Sequence, residues 1–334
     1  MEIFKNAVEP FSRTDCLTSM RISRFVCSLF GLLFLLSFNA FGQGGNFVIE
    51  KQTDKSVIPL HIQSDDRGTL ALAQLVFSAH GGFQLASAQN ALYTLQLTPL
   101  PGDRCQARIV RGDPARVQYE GTSTGTDQAN ALYKACDEAV RQITGKPGFF
   151  AGKIAFVSKR SGHNEVWMSD LFFRNVRQLT QDKSNALRPY LAPDGNTLFY
   201  RGYYRTGFPD VFKVDLASGN RTPFASYKGT NAGGVVSPDN QRVALTLSSS
   251  GNMELYVTDI SGTGKPQKLT HTNAAETSPT WSPDGRRIIV TSDQLGSPQL
   301  YELPSRGGPM SRLRTNISGY CAEPNWNPLD ADKV

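Results

Sequence analysis

Gly121-Thr122-Ser123-Thr124-Gly125 fits G-x-S-x-G, the tight turn that lifts a nucleophilic serine out of an α/β-hydrolase sheet. That chemistry needs an acid and then a histidine downstream, and the later histidines, His163 and His271, fall in stretches that read as hairpins and turns. The segment is therefore expected to be a polar strand-to-helix turn in which Thr126 or Asp127 caps the helix that follows. Metal chemistry has little material: neither H-E-x-x-H nor paired C-x-x-C occurs among four histidines and five cysteines. Gly262-Thr263-Gly264-Lys265 lacks the earlier glycine and the Ser/Thr after lysine that a phosphate loop requires. The expectation is a protein without enzymatic activity and without cofactor or metal. Its 35 basic and 29 acidic residues give a net charge of +6 with no basic run, so nothing motivates nucleic-acid binding.

Cysteine usage depends on the compartment, which the N-terminus addresses. Residues 25–38, FVCSLFGLLFLLSF, carry no charge, follow Arg21 and Arg24, and precede Asn39-Ala40-Phe41-Gly42. This is the outline of a signal peptide over 1–42, too short for a permanent span of roughly 20 apolar residues. Glu2, Glu9 and Asp15 do not suit a basic leader start, which makes Met20 an alternative first residue. Secretion across the inner membrane would leave Cys105, Cys136 and Cys321 in an oxidising space. Cys105 and Cys136 fall in one predicted domain and can pair there, or both can remain buried thiols.

The elements that would position any site come from a repeat. Pro193, Pro238, Pro283 and Pro328 recur every 45 residues, the first three in Ala-Pro-Asp194-Gly195, Ser-Pro-Asp239-Asn240 and Ser-Pro-Asp284-Gly285. Each turn precedes an apolar strand (Leu198-Phe199-Tyr200, Val243-Ala244-Leu245, Ile288-Ile289-Val290), then a Gly/Ser-rich hairpin. A further strand follows, centred on Trp167, Phe212, Tyr256 or Tyr301, and it commonly runs into a turn headed by Asp170, Asp215 or Asp259. A period of this length with about four short strands predicts a β-propeller whose aromatics fill the space between blades. Four units are expected over 149–334, a fifth being only begun at Asn327-Pro328, so the chain reads as an incomplete propeller or as a four-bladed one.

Residues 57–148 show no such echo. They predict a small α+β domain with strands near 57–62, 92–97, 106–111 and 117–120. A helix over 69–77, capped by Asp65 or Asp66, and a longer one over 127–143, ended by Gly145 and Pro147, complete it. Residues 43–56 read as an extended mobile arm.

This order of parts, with Phe47-Val48-Ile49-Glu50 in the arm, the junction ITGKPGFFAGKIAFV over 143–157, and Ser278-Pro-Thr-Trp281-Ser-Pro-Asp284-Gly285, resembles the TolB family of the periplasmic Tol-Pal system. The resemblance covers nearly all of the chain after the leader. It implies a six-bladed propeller whose mouth receives Pal, the peptidoglycan-associated lipoprotein, and an arm recognised by the inner-membrane protein TolA. By resemblance, the mouth positions are Thr230, Asn231, Glu276, Thr277 and Ser278, and the arm positions Phe47, Val48, Ile49 and Glu50. The chain departs from the family at Ser278, where a Glu is usual, and near Thr230, where a His is usual. Two rival readings are the gating propeller of a hydrolase or oligopeptidase whose catalytic domain lies further along, and a saccharide-binding propeller using Tyr203, Tyr204 and Phe208.

Overall fold

The computed structural model describes residues 57–112, 114–315 and 319–334. The expected leader and the arm, with Phe47, Val48, Ile49 and Glu50, lie outside the described residues. No helix among the described residues is long and apolar enough to cross a membrane.

Alternating apolar residues make β1 (Ile58–Gln63), with Leu60 and Ile62 turned into the core. Asp66 then starts α1 (Arg67–Ser78) by accepting the Thr69 N–H at 2.7 Å, so Asp66 rather than Asp65 is the cap. The helix is the crossover that allows β2 (Phe83–Leu85), a strand absent from the sequence expectation, to lie parallel to β1. β3 (Tyr93–Leu100) pairs with the other edge of β1, also in parallel. β4 (Arg104–Arg111) and β5 (Arg116–Thr124) extend the sheet as an antiparallel meander, giving the order β2-β1-β3-β4-β5. Asp127, not Thr126, caps α2 (Gln128–Thr144), which ends at Gly145 in the left-handed region. Ala131, Ala135, Cys136 and Ala139 of α2 join Phe77, Leu95, Leu97, Cys105 and Ile109 in one core.

The junction to the repeats is tied by Asp137. Its two carboxylate oxygens accept the N–H groups of Phe150 at 2.6 Å and Ala151 at 2.9 Å. Phe150 is fully buried in the α+β core, and Phe149 stacks on His80 with ring centroids 5.3 Å apart.

The repeats form three four-stranded sheets and one of three strands. The three-stranded sheet is β6 (Lys153–Ser158), β7 (Glu165–Asp170) and β8 (Arg177–Gln178). The second blade is β9 (Ala186–Leu191), β10 (Thr197–Gly202), β11 (Asp210–Asp215) and β12 (Arg221–Ala225). The third is β13 (Asn231–Val236), β14 (Arg242–Leu247), β15 (Glu254–Asp259) and β16 (Gln267–Lys268). The fourth is β17 (Glu276–Trp281), β18 (Arg287–Ser292), β19 (Gln299–Pro304) and β20 (Ser311–Arg312). Each is an antiparallel meander. The architecture is thus the expected α+β unit followed by propeller-like blades.

The sequence repeat has a physical reason at each position. Asp194 accepts the N–H groups of Asn196 and Thr197, both at 2.8 Å, and Asp284 accepts from Ser282 Oγ at 2.6 Å and Arg286 N at 3.0 Å. Gly195, Asn240 and Gly285 follow with φ of 67°, 57° and 68°, as the turn requires. Neighbouring blades are stapled by the Trp281 indole N–H, which donates to Val235 O at 2.9 Å, and by the Tyr190 hydroxyl, which donates to Val236 O at 3.2 Å. Arg242 lies over the Trp281 ring at 4.7 Å, and one period on Arg287 lies over Trp326 at 4.8 Å.

Candidate partner-binding face

First strands of successive blades, such as β13 and β17, contact one another, whereas β12, β16 and β20 form the outer edges. The first strand of each four-stranded blade slips its ladder midway, as between Gly233 and Val235 in β13 and between Thr277 and Thr280 in β17. At the slip stand Arg188 (φ 52°), Gly233 (φ 88°) and Ser278 (φ 50°), and the series continues with Glu323 (φ 56°), each 45 residues from the last. A left-handed non-glycine residue costs about 1–3 kcal/mol, and such bulges re-aim a side chain next to functional surfaces. Three of the four positions bear that cost, whereas Gly233 avoids it; a Cβ there would also meet Ala244 O at 2.9 Å.

Arg188 and Glu323, three periods apart, form an ion pair although their side chains are 65% and 57% exposed. The hydrogen bond and charge of Arg188 hold the Glu323 carboxyl below its ordinary range, and Glu323 raises the guanidinium in turn. At this exposure the pair is worth no more than about 1 kcal/mol, so it orders two side chains on the face more than it supports the fold.

Of the five mouth positions expected from the sequence, three are surface-accessible and two are not. Thr230, Thr277 and Ser278 are half-buried at the rim, and the Thr230 N–H donates to Ser248 Oγ at 2.8 Å. Asn231 is fully buried: its Nδ2 donates to Tyr227 O at 2.9 Å and Pro209 O at 3.1 Å, closing the preceding loop. Glu276 is fully buried too, bonded to Thr272 and Ser292. These two residues hold the face from beneath and cannot touch a partner. Arg188 and Glu323 escaped the sequence reading, although stepping the period from Ser278 reaches Gly233, Arg188 and Glu323 directly.

The loops at the start of the first strands and the end of the second strands share one end of the blades, because neighbouring strands are antiparallel. That end exposes Tyr204, Phe208, Tyr227, Leu295 and Tyr320. Tyr204 is stacked on Phe212 at 4.9 Å and lies beneath Arg221 at 4.6 Å, while Arg201 covers Tyr203 at 5.8 Å. Phe208 alone of the saccharide trio carries no ring or cation contact of this kind among the described residues.

Ser123 lies within β5, opposite Cys105, and not in an elbow turn. Of the two alternatives for Cys105 and Cys136, a pair or two buried thiols, the structure has both as free, buried thiols, Cys105 on β4 facing α2, and burial pushes the Cys105 thiol up to about 11. No group of three metal-ligating side chains occurs among the described residues.

Residues 140–334 match the family model of the TolB β-propeller domain. The Tol-Pal system protein TolB of Anaeromyxobacter sp. (strain K) is 35% identical over 157 residues, covering 47% of this chain and 36% of that protein. A protein TolB homolog of Chlorobium chlorochromatii (strain CaD3) is 36% identical over 169 residues, covering 49% of this chain and 36% of that one. The matching stretch therefore spans about a third of the length of these curated relatives, 36% in each. The crystal structure of TolB from Acinetobacter baumannii superposes with a TM-score of 0.69 at 21% identity, covering 81% of this chain and 75% of that one. At that identity the likeness establishes the fold.

Proposed function

The chain belongs to the TolB β-propeller family, and from that premise we propose that it is a non-enzymatic, periplasmic protein-binding scaffold of a Tol-Pal-like system. In this reading a Pal-like, peptidoglycan-associated lipoprotein docks on the face carrying Arg188, Thr230, Thr277, Ser278 and Glu323. Arm residues Phe47, Val48, Ile49 and Glu50 are offered to a TolA-like inner-membrane protein, as an added strand or a docked peptide.

The observation that carries the proposal is the series of left-handed positions at Arg188, Ser278 and Glu323, retained against their conformational cost on a surface no described element covers. Strain recurring at one position of the 45-residue period, at Arg188, Ser278 and Glu323, is accounted for by a docking face and not by a spacer.

The test is capture from cross-linked envelopes of the host, followed by binding of the recovered lipoprotein to purified variants. Arg188→Glu should lower its affinity at least about tenfold, the effect of truncating a central charged contact, with the melting temperature unchanged. Deleting residues 43–55 should abolish the TolA-like contact and leave the lipoprotein bound. Unchanged affinity in Arg188→Glu, or equal loss of both partners on deleting the arm, would refute the assignment.

A further inference from the structure

Every blade buries a polar side chain at the start of its next-to-last strand: Glu165, Asp210, Glu254 and Gln299. The next blade brings a second position against it, at Ala186, Asn231, Glu276 and Cys321. Their backbone N–H groups donate to the carbonyls of Asn164, Pro209, Met253 and Pro298, each one residue before the anchor. The seam geometry is thus repeated four times with different chemistry. Among these seams, that between the third and fourth blades sets two carboxyl groups together, Glu254 and Glu276, at 1% and 0% exposure.

Thr272 ties the two. Its N–H donates to Glu254 Oε1 at 3.2 Å, and its Oγ1 lies 2.9 Å from both carboxylate oxygens of Glu276. Ser292 Oγ donates to Glu276 Oε1 at 2.7 Å, and Lys268 Nζ lies 3.0 Å from Glu254 Oε1. Glu254 Oε2 is buried with no donor among the described residues. Two carboxylates against one ammonium leave an excess negative charge in a sealed site, and the remaining neighbours do not cancel it. Asp293 Oδ1 is occupied by the Ala275 N–H at 2.9 Å, and His271, on the same loop, is exposed.

We propose that Glu276 carries a proton that it donates to Glu254, and that this proton fastens loop 269–275 at the seam, so that the loop loosens as pH rises. A protonated Glu276 supplies the donor that Glu254 Oε2 lacks and removes the like-charge repulsion. Burial, reinforced by Glu254, pushes the Glu276 carboxyl from 4.5 up to about 7. A carboxyl whose folded value is raised contributes stability that is full below the unfolded value of about 4.5 and is lost as pH climbs through about 7. Thr277 and Ser278 follow Glu276 directly, so the candidate face is coupled to the same proton. The preceding seam is the internal comparison: Asn231 stands where Glu276 does, and its amide supplies donors at every pH.

The experiment is the thermal melting of the full chain between about pH 5.5 and about pH 8, wild type against Glu276→Gln, with Glu254→Gln alongside. Wild type should lose several degrees across that window, and both variants should lose markedly less, because an amide replaces the proton. Should one variant fail to fold, amide hydrogen exchange of residues 269–277 in the wild type, corrected for intrinsic rates, should still accelerate with pH while residues 224–231 do not. An identical pH slope in wild type and variants overturns the proposal, as does uniform exchange of the two loops. A wild-type melting temperature raised by Ca2+ at about pH 8 and not in Glu276→Gln would put a metal cation in place of the proton, and would equally overturn it. Melting requires no partner, so this test stands apart from the Tol-Pal reading.

Discussion

Asp127 accepts the Asn130 N–H at 2.8 Å and satisfies a donor that α2 has no internal partner for. Asp127→Ala should lower stability by about 1 kcal/mol in denaturant unfolding, and Asp127→Ser by much less. Ten residues on, Asp137 holds two backbone N–H groups of the chain beyond the helix. Asp137→Ala should cost more, about 2–4 kcal/mol, because both donors stay in a partly buried place with no acceptor. The two aspartates differed in legibility. A cap is announced by its position just before an apolar-periodic run, whereas the partners of Asp137 lie 13 and 14 residues away and leave no local pattern. Asn231 and Glu276 show the same limit from the other side. Polar residues at a strand start read as surface, because burying them is rare, and only the fold reveals the hydrogen bonds that make it tolerable.

At the scale of elements, Gly148 shows how the helix meets the first blade. A Cβ there would lie 2.4 Å from Asp137 Cα, a backbone atom that cannot give way. Gly148→Ala should therefore destabilise by about 2 kcal/mol or more, and the same unfolding experiment shows it as a lower midpoint with an unchanged slope. The opposite sign is expected at a bulge: Ser278→Gly removes left-handed strain and should leave stability equal or higher by up to about 1 kcal/mol, while weakening lipoprotein capture if the proposed docking role is correct. Strands β10, β14 and β18 were legible because three consecutive apolar residues between a Pro-Asp turn and a Gly/Ser hairpin admit little else. β2 was not. It has three residues, one of them buried, and it exists because α1 returns the chain alongside β1. The bulges were also hidden, since a ladder slip is a property of two strands, and neither sequence alone records it.

For the whole molecule, the acid limb of stability should oppose the seam. Asp66, Asp215 and Asp259 are held below the ordinary carboxyl range first by backbone N–H donors, and Asp239 and Asp284 first by serine hydroxyls. Depressed carboxyls contribute stability above their unfolded values and lose it as pH falls, so melting temperature should drop below about pH 4. Glu276→Gln should leave that drop intact, which a melting series at low pH checks directly. The repeat architecture was visible at this scale because its 45-residue period is carried by turn chemistry that is the same in every unit. The contact between Arg188 and Glu323 carries one more consequence, for the history of the array. A repeat protein can grow or shrink by copying or losing a unit, and most unit-to-unit contacts survive such an event because each neighbour resembles the last. A bond spanning three periods does not survive it. Duplicating or deleting any one unit between these residues would separate the arginine from its glutamate, so the pair ties this face to a fixed number of units between its two ends.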